Sequence, residues 1–146
     1  MNESPRQVGR RLMRLGILLF LLGLLTGLAV PGLGNPRMGL SSHLEGLMNG
    51  MLLVILGLLW HRLRLSPGLS RLTFWSALYG TYANWATTLA AAALNAGATL
   101  MPMSALGRRG TPLQENLLVF GLVSLSVSIL VCSGVVLWGL RGEEAG

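Results

Sequence analysis

The stretch LMRLGILLFLLGLLTGLAV, residues 12–30, decides the fold class. Its only charge is Arg14, near one end, and it stops at Pro31-Gly32. A helix needs about 20 apolar residues to cross the hydrocarbon core of a bilayer. Three further segments repeat the pattern. Residues 42–60 end in His61-Arg62-Leu63-Arg64, residues 72–95 run up to Gly97, and residues 112–140 stop at Arg141-Gly142. None shows the sustained two-residue alternation of a barrel strand. The expected fold is an all-α integral membrane protein, a four-transmembrane-helix bundle, with residues 1–146 forming one membrane domain. The first span also has the outline of a signal peptide, since Arg10, Arg11 and Arg14 precede its apolar run. Its length and the three spans behind it favour a retained helix.

Composition supports this reading. Of the 146 residues 52% are hydrophobic and 11% charged, against about 25% charged in a soluble domain. Disordered chains, coiled coils and ordinary water-soluble enzymes are excluded. The net charge of +6 comes entirely from arginine against glutamate. A nucleic-acid binder would gather those cations on one face. Here they sit in short clusters between apolar runs, so no nucleic-acid partner is expected and the lipid bilayer is. Arg6, Arg10, Arg11 and Arg14 precede the first span. Arg62, Arg64 and Arg71 separate the second and third, and Arg141 follows the fourth. Arg37, Arg108 and Arg109 fall on the other side. The positive-inside rule then places both termini in the cytoplasm of a multi-pass bacterial-type inner (plasma) membrane protein. Trp60 and Trp138 are expected near the cytoplasmic interface. Cys132 is the single cysteine, so neither an intrachain disulfide nor a covalent haem attachment motif exists. The connector around residues 98–111 is apolar (Leu100, Met101, Met103, Leu106) and either folds back to the membrane surface or covers a cavity.

Polar groups at membrane depth need partners or a task. Span two carries His43, Glu45 and Asn49. Ser42-x-x-Glu45 has the spacing of a capping box at a helix start, and a functional Glu45 is the alternative. His43 lies one turn ahead of Gly46 and two ahead of Gly50. That glycine pair admits either another backbone or a flat ligand. From spacing alone, His43 is a hydrogen-bonding group near an interface or a metal or haem ligand. Asn49 is either interhelical glue or a site group. On span three, Gly80, Asn84, Thr88 and Asn95 recur along one stripe, with Tyr79 and Tyr82 beside it. The stripe glues helices together or lines a buried cavity. Gly121, Ser124, Ser128 and Cys132 on span four read as close packing, with hydroxyls bonding back to their own helix and Cys132 as a small buried group. Thr111-Pro112-Leu113-Gln114 reads as a helix start. Glu115 follows it, facing either the helix dipole or a substrate. His61 reads as interfacial.

His43-Leu-Glu-Gly-Leu-Met-Asn49-Gly50-Met51 and Tyr79-Gly-Thr-Tyr82-Ala-Asn84-Trp85 together resemble the small four-helix membrane isomerases that include hydroxylaminobenzene mutase and styrene oxide isomerase. The resemblance covers most of the chain. It implies a homotrimer with haem b held non-covalently at a subunit interface, His43 as axial ligand to the iron beside Gly46 and Gly50, and Asn49 orienting the substrate oxygen. The epoxide branch also uses an Asp and a Tyr on the third span, and those positions fall on Gly80 and Thr88 here. The mutase branch is the better match. It implies conversion of hydroxylaminobenzene, a small aromatic substrate, to 2-aminophenol, with ferric haem as Lewis acid and Asn84, Tyr82 and Thr88 lining the ring pocket. The alternatives are an epoxide isomerase of styrene oxide type and a non-catalytic haem-binding or assembly subunit.

Overall fold

The computed structural model describes residues 4–141. Four long helices form: α1 (Pro5–Ala29), α2 (Pro36–Leu59), α3 (Pro67–Leu94) and α5 (Pro112–Gly139). A single turn, α4 (Pro102–Ala105), lies in the connector before α5, and 3-10 turns extend α1 and α2 over Val30–Gly32 and Trp60–Arg62. One device starts all four long helices. Ser4, Asn35, Ser66 and Thr111 accept a backbone N–H through the side chain, and a proline follows each. The cap satisfies an orphan donor, and proline has no N–H to lose at that position. Helix α3 ends with Asn95 in the left-handed region (φ 52°), two residues before the expected stop at Gly97.

Three of these helices, α1, α2 and α5, are long and apolar enough to cross a membrane. Helix α3 is as long as α5, at 28 residues, but its serines, threonines, tyrosines and asparagine keep it out of that set. The chain is a membrane protein by these helices, and it wears its apolar side chains outward. Leu28, Leu130 and Phe120 are 81%, 72% and 70% exposed. Such a surface is stable against lipid rather than water.

Packing follows chain order: α1 on α2, α2 on α3, α3 on α5, with a smaller contact between α1 and α3. Helices α1 and α2 meet through paired glycines. A Cβ on Gly16 would lie 2.7 Å from the Gly50 carbonyl oxygen, and one on Gly23 would lie 2.8 Å from the Gly46 carbonyl carbon. Without a hydrophobic force between helices in lipid, this close backbone approach supplies the packing energy. Two buried clusters result. One holds Leu12, Leu19, Leu53, Trp60 and Phe74 with Cys132. The other, at the opposite end, holds Met38, Ala91, Ala92, Ala96 and Ala105 with Leu118. Trp60 is thus a core residue, edge-on to Phe74 at 6.5 Å, where an interfacial position was expected. Trp138 is exposed with Arg141 stacked on it at 5.3 Å.

The connector before α5 covers the end of the bundle where α2 begins and α3 finishes. Ala105 is buried and Met101 packs on the second cluster, while Met103 and Leu106 face outward. Glu115 holds this connector down. Its carboxylate accepts from the backbone of Gly97 (2.9 Å), Ala98, Thr99 and Gly110 (3.0 Å), and from the Thr99 hydroxyl (2.8 Å). Its task is structural, and the substrate-facing alternative falls away. Asn35 does similar work across α2, α3 and the connector. Its amide donates to Ser104 O and its backbone N–H to Ala92 O.

Candidate functional site

Helix α2 carries the polar residues of interest on two of its sides. Residues spaced by three, four or seven share a helix face, and residues six apart do not. His43 and Asn49 are six apart, and their side chains go to different neighbouring helices.

On the first side, His43 packs over α1. Its Nδ1 lies 2.8 Å from the Gly23 carbonyl oxygen. A carbonyl only accepts, so Nδ1 carries the hydrogen, and in the neutral ring Nε2 is the nitrogen left to bind a metal. Gly27 is also close: a Cβ there would meet Nδ1 at 2.6 Å. Glycines on α1 therefore make the space in which the ring sits. Imidazole fixed through Nδ1–H to a carbonyl, with Nε2 bare, is the arrangement of a histidine metal ligand. The donor chemistry fits a haem axial ligand. Gly46 and Gly50 are both buried against the backbone of α1. Of the two approaches foreseen for that pair, this chain's own α1 is the one present.

On the second side, α2 meets α3 along a polar seam. The Asn49 carboxamide donates to Thr81 O at 3.3 Å. One turn away, Glu45 Oε2 lies 2.5 Å from the Thr88 hydroxyl. That hydroxyl is also 2.8 Å from Asn84 O and 3.1 Å from Trp85 O. Asn84 is one turn below Thr88, and its own carboxamide makes no hydrogen bond among the described residues. Asn49, Asn84 and Thr88 thus gather on one seam. Glu45 does not cap a helix start. Helix α2 begins at Pro36, and Ser42 is buried, its hydroxyl donating to Trp85 O at 3.0 Å. The capping-box reading is corrected: the spacing was right and the location was mid-helix.

Tyr82 stands apart from the seam. Its hydroxyl donates to Leu15 O of α1 at 2.8 Å. Its ring lines a groove of about 450 Å³ on the free side of α3, with Trp75, Leu78, Tyr79, Ala83 and Ala86. Tyr79 closes the α5 side of that groove through Ser124 at 2.7 Å. Trp85 entered the sequence reading only as the last residue of the span-three motif, with no role of its own. It ties three helices together, donating through Nε1 to Thr26 of α1 at 3.0 Å and packing so close to α2 that a Cβ on Gly46 would lie 3.0 Å from its Cδ1. Its position one residue from Asn84 was the available signal. On α5, Ser124 bonds back to Gly121 O as expected, but Ser128 crosses to Ser76 O. Cys132 is buried. Asn95, at the end of the stripe, caps α3, and its Oδ1 is buried without a hydrogen bond.

A membrane seam carrying two asparagines, a threonine and a carboxylate can orient and hydrogen-bond a small polar group out of water's reach. Comparison with known proteins gives that seam a family. The chain matches the family model described as styrene oxide isomerase over residues 8–141. It is 54% identical to the hydroxylaminobenzene mutase HabB of Ectopseudomonas oleovorans over 144 residues, 99% of this chain and 87% of that relative. It is 48% identical to the hydroxylaminobenzene mutase HabA of the same organism over 125 residues, 86% of this chain and 93% of that relative. No solved structure matches it. The chain belongs to the styrene oxide isomerase family and is an isomerase.

Proposed function

We propose that this protein converts hydroxylaminobenzene-type aryl hydroxylamines to 2-aminophenols within the membrane. The observation that carries the reading is the 54% identity to a hydroxylaminobenzene mutase across 99% of the chain. A local feature supports it over epoxide isomerisation. The position matching the epoxide branch's aspartate is Gly80, where even a Cβ would meet the Ile129 side chain at 2.6 Å. An aspartate there would have to displace the Ile129 side chain of α5.

The reaction is redox-neutral. The N–O bond breaks, its electron pair leaving with oxygen. A C–O bond forms at the ortho carbon, and the proton released from that carbon ends on nitrogen. The chain's task is to hold oxygen and ring in register and keep bulk water from the cationic ring. Asn49 and the unengaged carboxamide of Asn84 hydrogen-bond the substrate oxygen and nitrogen. Thr88 fixes the seam through Glu45, and Tyr82, tied to Leu15 O of α1, stays outside the substrate's reach. His43, through Nε2, would hold haem b, which would supply a ferric Lewis acid when bound; Gly46 and Gly50, closed by α1, would take no part in holding it. An apolar aromatic substrate concentrates in the bilayer, which favours a site at this depth.

The divergent directions of His43 and Asn49 support a site shared between copies, His43 of one completing the seam of the next, in the homotrimer that the family resemblance implies. Helix α3 is then the fourth span, its polar face covered by α2 and α5. The arginine distribution puts both termini in the cytoplasm of an inner membrane.

Purified protein should turn over hydroxylaminobenzene to 2-aminophenol and leave styrene oxide unchanged. It should show a Soret band. His43→Ala should lose that band and at least about 100-fold in turnover. Conversion of styrene oxide alone would refute the substrate assignment, and full haem content in His43→Ala would refute the ligand.

A further inference from the structure

The groove between α1 and α2, on the side away from α3, changes character along its length. At the end where α1 begins and α2 finishes, a cavity of about 240 Å³ is lined by Arg6, Arg10, Met13, Gly57, Leu58 and His61. Further along lies a groove of about 300 Å³ lined by Ile17, Phe20, Gly50, Met51, Val54 and Ile55. Helical spacing makes them one channel. Residues 6, 10, 13, 17 and 20 form a single stripe on α1, and residues 61, 58, 54 and 51 form the stripe facing it on the antiparallel α2. The close contact of Gly9 with Gly57, where a Cβ would lie 2.5 Å from a carbonyl oxygen, draws the two stripes together.

The charged end is unbalanced. Arg6 and Arg10 face His61 across the cavity, and no carboxylate of the described residues lines it. Among the described residues neither arginine has a hydrogen bond, ion pair or ring contact, whereas Arg11 stacks on Phe74 at 5.2 Å and Arg141 on Trp138. Two guanidinium groups held on one cleft repel each other unless an anion lies between them, and their planar donors match phosphate oxygens. The remainder of the channel is apolar. A free phosphate ion would use only its mouth.

We propose that this channel holds an anionic phospholipid, its phosphate against Arg6, Arg10 and His61 and one acyl chain along Met13, Ile17 and Phe20. Length agrees. The fourteen residues from Arg6 to Phe20 rise about 21 Å, enough for a headgroup region and the roughly 15 Å of one leaflet's hydrocarbon. Basic pockets between membrane helices recognise anionic headgroups in this way. The phosphate end lies at the far end of α2 from His43, and the apolar groove ends at Gly50 and Met51, about two turns short of it.

The test is native mass spectrometry of the detergent-purified protein with equimolar phosphatidylglycerol and phosphatidylcholine. Wild type should retain phosphatidylglycerol over phosphatidylcholine by about fivefold or more. Arg6→Gln with Arg10→Gln should abolish that preference. Arg108→Gln with Arg109→Gln, which removes equal charge from the opposite end, should keep it. Ile17→Trp should fill the groove and reduce retention of both lipids with no change in charge. Equal retention of the two lipids by wild type, or a preference surviving in the Arg6/Arg10 variant, overturns the proposal. So does inorganic phosphate raising the melting temperature as much as phosphatidylglycerol while Ile17→Trp changes nothing, since that result assigns a phosphate ion alone. If the double arginine variant fails to fold, Ile17→Trp decides.

Discussion

Thr88 and Glu115 show how differently two buried polar contacts work in this protein. Thr88 has one hydroxyl proton and three oxygens around it, from Glu45, Asn84 and Trp85. Thr88→Val keeps the shape and removes the hydroxyl. Glu45 then loses the only hydrogen-bond partner it has among the described residues, at a depth where water cannot replace it. The expected loss is about 1–3 kcal/mol of stability, read as a lower midpoint in thermal unfolding in detergent, with turnover falling because the seam loosens. An unchanged midpoint would show that Glu45 finds another partner. Glu115 is the opposite case, an acceptor surrounded only by donors. Oε1 takes backbone N–H groups from Gly97, Ala98 and Gly110, and Oε2 takes both donors of Thr99. Glu115→Gln replaces one oxygen by an NH₂ group, which sets donor against donor whichever way the amide turns. The normally mild change should cost about 2–4 kcal/mol, nearly as much as Glu115→Ala, and should expose the connector to limited proteolysis. Stability of the Gln variant close to wild type would contradict the assignment of Glu115 as the clamp.

At the scale of helices, α1 and α2 depend on glycines that face each other. Gly16 and Gly23 on α1 leave no room for a side chain opposite Gly50 and Gly46. Gly23→Leu must separate the helices by several tenths of an ångström along the whole contact. It should also move the Gly23 carbonyl that holds His43 Nδ1. The expected result is a loss of about 3 kcal/mol or more, measured by thermal unfolding, with reduced haem content. A Gly32→Ala control, where a Cβ meets nothing within 4 Å, should be silent. This pairing was half legible in the sequence. Gly46 and Gly50 stood out by their four-residue spacing, but Gly9, Gly16 and Gly23, seven apart on α1, did not, because which helix faces which is a tertiary fact. Four long helices were legible from hydropathy. Their first turns were not, because hydropathy marks the lipid core rather than the helix end. Helices α1, α2 and α3 begin at Pro5, Pro36 and Pro67, several residues ahead of positions 12, 42 and 72. Ser4-Pro5, Asn35-Pro36 and Ser66-Pro67 carried the same signal that Thr111-Pro112 did. The gathering of Asn84 with Thr88 followed from spacing. The company of Asn49 and the removal of Tyr82 to α1 needed the neighbouring helices.

For the whole molecule, the decisive geometry is that α2 turns His43 toward α1 and Asn49 toward α3. The angle between them was available in the sequence. Six residues at 3.6 per turn leave two side chains about 120° apart, too far round the helix for one small ligand to touch both within a chain. If the site forms within a single copy, a protein lacking either residue is inactive and no mixture recovers. If each site takes His43 from one copy and Asn49 from the next, two inactive variants complement each other. A His43→Ala chain still offers an intact seam, and an Asn49→Ala chain still offers its imidazole. Random assembly of equal amounts into rings puts the intact residue on both sides of about one interface in four. Co-expression of the two variants, each inactive alone, should therefore restore about a quarter of wild-type turnover, while haem fills about half of the sites, those whose His43 is intact. Mixing them after separate purification should restore activity only as fast as subunits exchange. No recovery in co-expressed samples shown by affinity tags to contain both chains would place the whole site inside one copy. Helix α2 would then have to rotate, or another group would have to replace His43 at the seam.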